Sequence, residues 1–137
     1  MALTYLVDTS ALTRLDEHQI RAVLEPRAEA GDLARAAISD LEIGYSARNA
    51  REWDRLQEAL EAFGLIETTA AHVRRALQVQ RLLASRSQRG RKIPDLLVAA
   101  AAEETSLIVL HYDADFDQIA RVTGQPSEWV VSPGTVD

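Results

Sequence analysis

None of the chain's 137 residues is a cysteine. That excludes a disulfide framework and any thiolate chemistry. A long apolar run is missing too. The opening stretch "MALTYLVDTS" is too short to span a membrane, and no basic segment precedes it as in a signal peptide, so a cytoplasmic protein is expected. Repeats, linkers and low-complexity segments are absent. At this length, residues 1–137 are expected to form one domain with a real core. Positive charge is scarce: 15 Lys and Arg against 21 Asp and Glu, a net charge of −6, and a single lysine, Lys92. The sum alone speaks against a nucleic-acid partner, but the distribution matters more. Acids are lacking from His72 to Pro94. That segment holds Arg74, Arg75, Arg81, Arg86, Arg89, Arg91 and Lys92, leaving 8 of the 15 bases against 21 acids elsewhere. The chain is an acidic body with one basic strip, either a solvated helix face and loop or a track for phosphates.

What is present is ordinary for a soluble fold, 47% hydrophobic and 26% charged. "LTYLV" (3–7) reads as a buried strand, with Thr9 or Ser10 capping the next element. Ile20, Val23, Leu24 and Ala28 stripe a helix ending before Gly31. "ARAAI" (34–38) is a weak strand, and "SDLE" (39–42) starts a helix. Trp53, Leu56, Leu60 and Phe63 stripe another helix, and "LIET" (65–68) is a strand. Val73, Ala76, Leu77 and Leu83 stripe a long helix that runs into the polar loop "SRSQRGRK". Pro94 sits in the first turn of the next helix, where its missing N–H costs nothing. That helix, "DLLVAAAAEE", is apolar nearly all round and is expected to be deeply buried. "LIVL" is a strand, Phe116, Ile119 and Ala120 stripe a helix ending at Gly124, and "WVV" is a last strand. Strands alternating with helices predict an α/β fold, a mainly parallel sheet with helices on both faces.

The acids gain meaning from that frame. "HYDADFDQIA" sets Asp113, Asp115 and Asp117 at alternating positions, which is costly unless something positive lies among them. It is not an EF-hand loop, because the sixth and twelfth positions are Gln118 and Gly124 rather than Gly and Glu. In open α/β sheets, sites form where strand carboxyl ends turn into helices. Asp8 follows the first strand, Glu42 lies in the first turn of the helix after the second, and Asp113 and Asp115 follow "LIVL". Asp95 opens the helix that precedes that strand. If that helix runs antiparallel to its strand, its N-terminus points back to the same edge, and these acids are expected to converge on one crevice, their repulsion partly offset by helix N-termini. Each also has a plain structural role: "SDLE" is a capping box that ties Glu42 to Ser39, Asp95 suits a helix dipole, and Asp115 suits an N-cap. A two-residue helical step turns a side chain by about 200°, so Asp117 is expected to face solvent. A crevice of oxygen ligands without His or Cys suits Mg²⁺ or Mn²⁺, which organise phosphates and acidify a bound water. His72 and His111 lack a partner spaced for zinc and read as local polar residues.

"YLVDTSAL" (5–12), "ISDLEIGYSAR" (38–48), "KIPDLLVAAAA" (92–102) and "LHYDADFDQIA" (110–120), in this order and spacing, resemble the PIN-domain ribonucleases, most closely the VapC-type toxins of toxin–antitoxin pairs. The resemblance spans nearly the whole chain. It implies acidic metal ligands at Asp8, Glu42, Asp95 and Asp113, with Asp115 as an additional ligand and Thr9 as a supporting hydroxyl. It further implies Mg²⁺-dependent cleavage of RNA (Mn²⁺ as substitute), a homodimer, and a cognate VapB-type antitoxin that blocks the site. The chain departs from many relatives at His111, where they carry Thr or Ser. On this view Arg86, Arg89, Arg91 and Lys92 hold the RNA backbone.

Two other classes compete. An aspartyl-phosphate enzyme using Asp8 as nucleophile needs a second Asp two residues on, where Ser10 stands, or a late-sheet lysine, whereas Lys92 precedes a helix. A catalytically silent RNA-binding or interaction module of the same fold is the other.

Overall fold

The computed structural model describes residues 3–87 and 92–137. Arg89 and Arg91 of the basic strip lie outside the described residues. Twelve elements follow one another: β1 (Tyr5–Val7), α1 (Thr9–Leu12), α2 (His18–Glu29), β2 (Leu33–Ala36), α3 (Ala37–Tyr45), α4 (Ala50–Leu60), β3 (Gly64–Ile66), α5 (Ala70–Ser85), α6 (Ile93–Thr105), β4 (Ile108–His111), α7 (Asp115–Thr123) and β5 (Ser127–Trp129). The strands form one sheet in the order β3-β2-β1-β4-β5, and every pairing is parallel.

Successive strand residues point to opposite faces, and here both faces are buried. Leu6, Ala34 and Val109 join a core with Ala76, Val79 and Leu83 of α5, the alanine-rich middle of α6, and Phe116 and Ile119 of α7. Val7, Leu33 and Leu110 join the opposite core with Leu12, Ile20, Leu24, Ile43 and Leu60. Helices therefore cover both faces, as the alternation of elements predicts. The chain order moves outward from β1 to β2 and β3, then returns to β4 on the other side of β1. The crevice at the carboxyl ends of β1 and β4 is thus a topological switch point. The Asp8 N–H donating to the Leu110 carbonyl at 2.9 Å closes the two strands together at that end.

Several boundaries differ from the sequence expectation. The cap of α1 is Asp8, whose side chain accepts from the Ser10 N–H, rather than Thr9 or Ser10. Strand β2 ends at Ala36 and runs straight into α3, capped by the backbone of Ala36 without a side chain. The "SDLE" capping box therefore does not form. Ser39 is buried inside the helix, and Glu42 lies in its second turn rather than its first. Phe63 is buried beyond the end of α4, not on it. Along α5 the buried row is His72, Ala76, Val79 and Leu83, while Val73 and Leu77 are 46% and 59% exposed. The row turns because His72 offsets its burial with bonds: Nδ1 accepts from the Thr69 N–H, and Nε2 lies 2.6 Å from Glu104 Oε1. The last strand is Ser127–Trp129, two residues earlier than "WVV", since its partners in β4 stop at His111. The cap of α7 is Ala114, not Asp115. Gly124 ends that helix in the left-handed conformation at φ +74°, where glycine is favoured. Gly44 lets α3 and α4 meet, because a Cβ there would stand 2.7 Å from Trp53 Nε1.

Candidate active site

Asp8 follows β1, a strand in the interior of the sheet, and is 2% exposed. Its Oδ2 accepts from the Ser10 N–H at 2.9 Å, while Oδ1 is buried with no hydrogen-bond partner among the described residues. Asp95 lies in the first turn of α6 and is 4% exposed; its Oδ2 is likewise buried and unpartnered. Thr9 bridges two elements: its Oγ1 lies 2.7 Å from Glu42 Oε1 and 2.9 Å from Ser39 Oγ. This hydroxyl holds the Glu42 carboxylate at the cleft, although Glu42 stands one turn further along α3 than expected. Asp113 follows β4. Its Oδ2 pairs with Lys92 Nζ at 2.6 Å and its Oδ1 accepts from the Asp115 N–H at 2.9 Å.

Asp8, Thr9, Glu42, Asp95 and Asp113 share the lining of one open cleft of about 580 Å³ with Arg14 and Lys92. Asp115 does not line that cleft, but one carboxylate oxygen each of Asp95, Asp113 and Asp115 lie within 4.8 Å of one another. Asp117 lies apart, as its helical phase requires. It is half-buried rather than solvent-facing, with an oxygen 3.3 Å from Trp129 Nε1. Arg86 is exposed at the end of α5, away from the cleft lining.

The electrostatics are uneven. Burial pushes the Asp8 carboxyl up, against the opposing Ser10 hydrogen bonds. Burial, then the Asp8 charge, raises Asp95 to about 8. Burial also acts on Asp113, but the Lys92 ammonium and the Asp115 N–H outweigh it and hold that carboxyl below its usual range. The same hydrogen bond to Asp113 raises Lys92. Burial lowers His111 to about 4, so its ring is neutral near pH 7. Its Nδ1 accepts from the Asp113 N–H at 3.2 Å, and the ring packs between Phe116 and Trp129 with centroids 5.0 Å away. His111 thus supports the backbone of the acidic turn from behind.

Among the described residues, the carboxylates of Asp8, Glu42, Asp95, Asp113 and Asp137 share the cleft wall with two cations, Arg14 and Lys92. Two of the buried acids have an unused oxygen, and the donor set is all oxygen. A divalent cation fits this arrangement: it would satisfy those oxygens and offset the burial, and then the neighbouring negative charge, that hold Asp95 protonated. Residues not foreseen from sequence are Ser10, whose Oγ accepts from the Tyr112 N–H at 2.9 Å, Ser39 behind Thr9, and the cluster of Arg14, Tyr112 and Asp137 at the cleft lip. Ser10 and Ser39 lie within the family-like motifs. Nothing in the local sequence marks Asp137.

Known proteins place this geometry. A family model described as PIN domain matches residues 5–122. The chain is 66% identical over 137 residues to Ribonuclease VapC51 of Mycobacterium tuberculosis (strain ATCC 25618 / H37Rv), with both chains covered in full. It is 44% identical over 140 residues to Ribonuclease VapC21 of Mycobacterium tuberculosis (strain CDC 1551 / Oshkosh), covering 98% of this chain and 99% of that one. Among solved structures, VapBC2 from Rickettsia felis bound to a DNA fragment from its promoter superposes with a TM-score of 0.76. The identity there is 16%, over 92% of this chain and 98% of that one. VapBC-1 from nontypeable Haemophilus influenzae gives 0.76 at 15% identity, over 95% and 100%; at such identities the likeness is one of fold. With its sheet order, its acidic cleft and these relatives in agreement, the chain belongs to the PIN domain family and, within it, to the VapC ribonucleases.

Proposed function

We propose that residues 1–137 act as one nuclease domain, the toxin component of a toxin–antitoxin pair, and hydrolyse RNA phosphodiester bonds with a divalent cation, Mg²⁺ or Mn²⁺ in its place. The observation that carries this is the pair of buried carboxylates, Asp8 and Asp95, each with an oxygen left unpartnered beside one cleft. Asp8, Asp95 and Asp113 would hold the ion, with Glu42 and Asp115 completing the set. When bound, such an ion acidifies water and offsets charge in an in-line displacement at phosphorus. The protein's own groups do the rest. Thr9 fixes the Glu42 carboxylate so that it can orient a water molecule. The Asp8 cap on α1 and the first-turn position of Asp95 on α6 place both acids at helix N-termini, which partly offsets the burial that raises both carboxyls. Lys92 offers a cation at the cleft for the phosphate backbone, and we assign Arg86, Arg89 and Arg91 to the same role on the basic strip of the sequence. The relatives' VapBC complexes support a VapB-type antitoxin as partner; a homodimer in the cytoplasm completes the proposal. No described helix is long and apolar enough to cross a membrane.

The test is a cleavage assay on single-stranded RNA. Cleavage should appear with Mg²⁺ or Mn²⁺ and vanish in excess EDTA. A silent RNA-binding module predicts binding without product in either buffer. Within the acidic turn, Asp117→Asn should leave the cleavage rate within about twofold, since the side chain lies off the cleft lining and asparagine keeps an oxygen for Trp129 Nε1. Asp113→Asn should lose on the order of a hundredfold or more, as expected for a group engaged at the reacting centre. The reverse ranking in initial rates would overturn the assignment of Asp113.

A further inference from the structure

The cleft has a second cation that the catalytic carboxylates do not use. Arg14 lies just beyond α1, and its guanidinium stacks over the Tyr112 ring at 5.0 Å from the centroid. Its Nη1 donates to the Ser10 carbonyl at 2.6 Å. These two contacts orient the guanidinium from below. The third contact differs in kind. Nε lies 3.4 Å from Asp137 Oδ1, a long pair whose acid side chain is 77% exposed. Asp137 is brought there by the segment before it. The Tyr112 hydroxyl donates to the Val136 carbonyl at 2.6 Å and accepts from the N–H groups of Gly134 and Val136, while Val136 itself is buried. One tyrosine thus supports the arginine with its ring and anchors the segment carrying Asp137 with its hydroxyl.

We propose that Arg14 is a phosphate-binding residue of the RNA cleft, and that Asp137 occupies its guanidinium until a substrate phosphate replaces it. The proposal rests on the ribonuclease assignment above and names a substrate contact within that cleft. Among the described residues the other cation of the lining is Lys92, and it already pairs with Asp113 at 2.6 Å. Arg14 is therefore the lining cation whose partner is most easily displaced. An exposed ion pair at this distance contributes little. A planar guanidinium offers a phosphate a two-pronged, charge-assisted contact. Pre-ordering on Tyr112 and Ser10 leaves little side-chain freedom to lose on binding.

Opposite signs test this. A fluorescein-labelled single-stranded RNA of mixed sequence is titrated by anisotropy, in EDTA at low ionic strength, against the full chain and its variants. Arg14→Ala should weaken binding about tenfold and flatten the log–log salt slope by about 0.7. Asp137→Asn should tighten binding about threefold, because it frees the guanidinium for the phosphate. The double variant should bind as Arg14→Ala alone does, since Asp137 acts only through Arg14. If the pair is merely structural, both single variants lower Tm while RNA affinity and salt slope stay at wild-type values, and the proposal falls. It falls equally if Asp137→Asn weakens binding. A wild-type chain that binds RNA but does not cut it with Mn²⁺ overturns the ribonuclease assignment instead, and the affinities of the variants still decide the role of Arg14.

Discussion

Asp8→Asn should abolish RNA cleavage, by on the order of a thousandfold or more, in a protein that melts at or above the wild-type temperature. Asparagine keeps the shape and keeps an oxygen for the Ser10 N–H, so the cap on α1 survives. What it removes is a charge at a site 2% exposed, where burial already disfavours ionisation and Asp95 stands close enough to feel it. Losing that charge stabilises the metal-free chain or leaves it unchanged. It should also bring the Asp95 carboxyl down from about 8, because the Asp8 charge is the second cause of its elevation after burial. Initial rates on labelled RNA and a thermal melt of the same preparation check both halves. Full activity in a folded Asp8→Asn protein would remove Asp8 from the reaction.

The second large effect is on stability. A carboxyl whose folded-state pKa lies above its unfolded value holds its proton more tightly when folded. Its contribution to stability is present at low pH and lost as pH rises from about 4 through about 8 for Asp95. Asp8 is shifted in the same direction. Asp113, held below its usual range, has the opposite sign: its contribution is present above about 4 and lost as pH falls below that. Between pH 5 and 8 the buried pair dominates, so Tm of the metal-free chain should fall across that interval. A divalent cation should reverse this. Bound only to the native state, it adds about 2.7 kcal/mol at a hundred times Kd, and each kcal/mol moves Tm by about 4 °C in a domain of this size. The gain should be larger at pH 8 than at pH 5, because the ligands must be deprotonated to bind. Asp95→Asn should flatten the metal-free pH slope and reduce the gain. Melts with and without saturating Mn²⁺ at the two pH values measure all of this. An unchanged Tm with Mn²⁺ at pH 8 would argue against a metal centre.

The errors made from sequence have a common origin. A capping box at Ser39 and a helical stripe through Val73 and Leu77 are both sound local patterns. In the structure each yields to a partner remote in sequence: Thr9 for Ser39 and Glu42, Glu104 for His72. Hydrogen bonds across 30 or more positions leave no periodicity for a local pattern to detect. The same limit applies to the phase of Asp117. Its departure from the cleft follows from helical geometry alone, but its contact with Trp129 needs β5 to be placed beside β4.

By itself the sequence determined the alternation of strands and helices, the mostly apolar α6, and the placing of Asp8 and Asp113 after strands and of Asp95 at a helix start. Those properties follow from periods of two and 3.6 residues and from turn chemistry, which are local. Only the tertiary structure decided which oxygens of Asp8 and Asp95 have no partner among the described residues, that Thr9 holds Glu42, that Lys92 pairs with Asp113, and that Arg14 is held between Tyr112 and Asp137. Each of these depends on distances between segments separated by as many as 123 positions. Such distances are set by how the two cores close over the sheet, and no single segment encodes them.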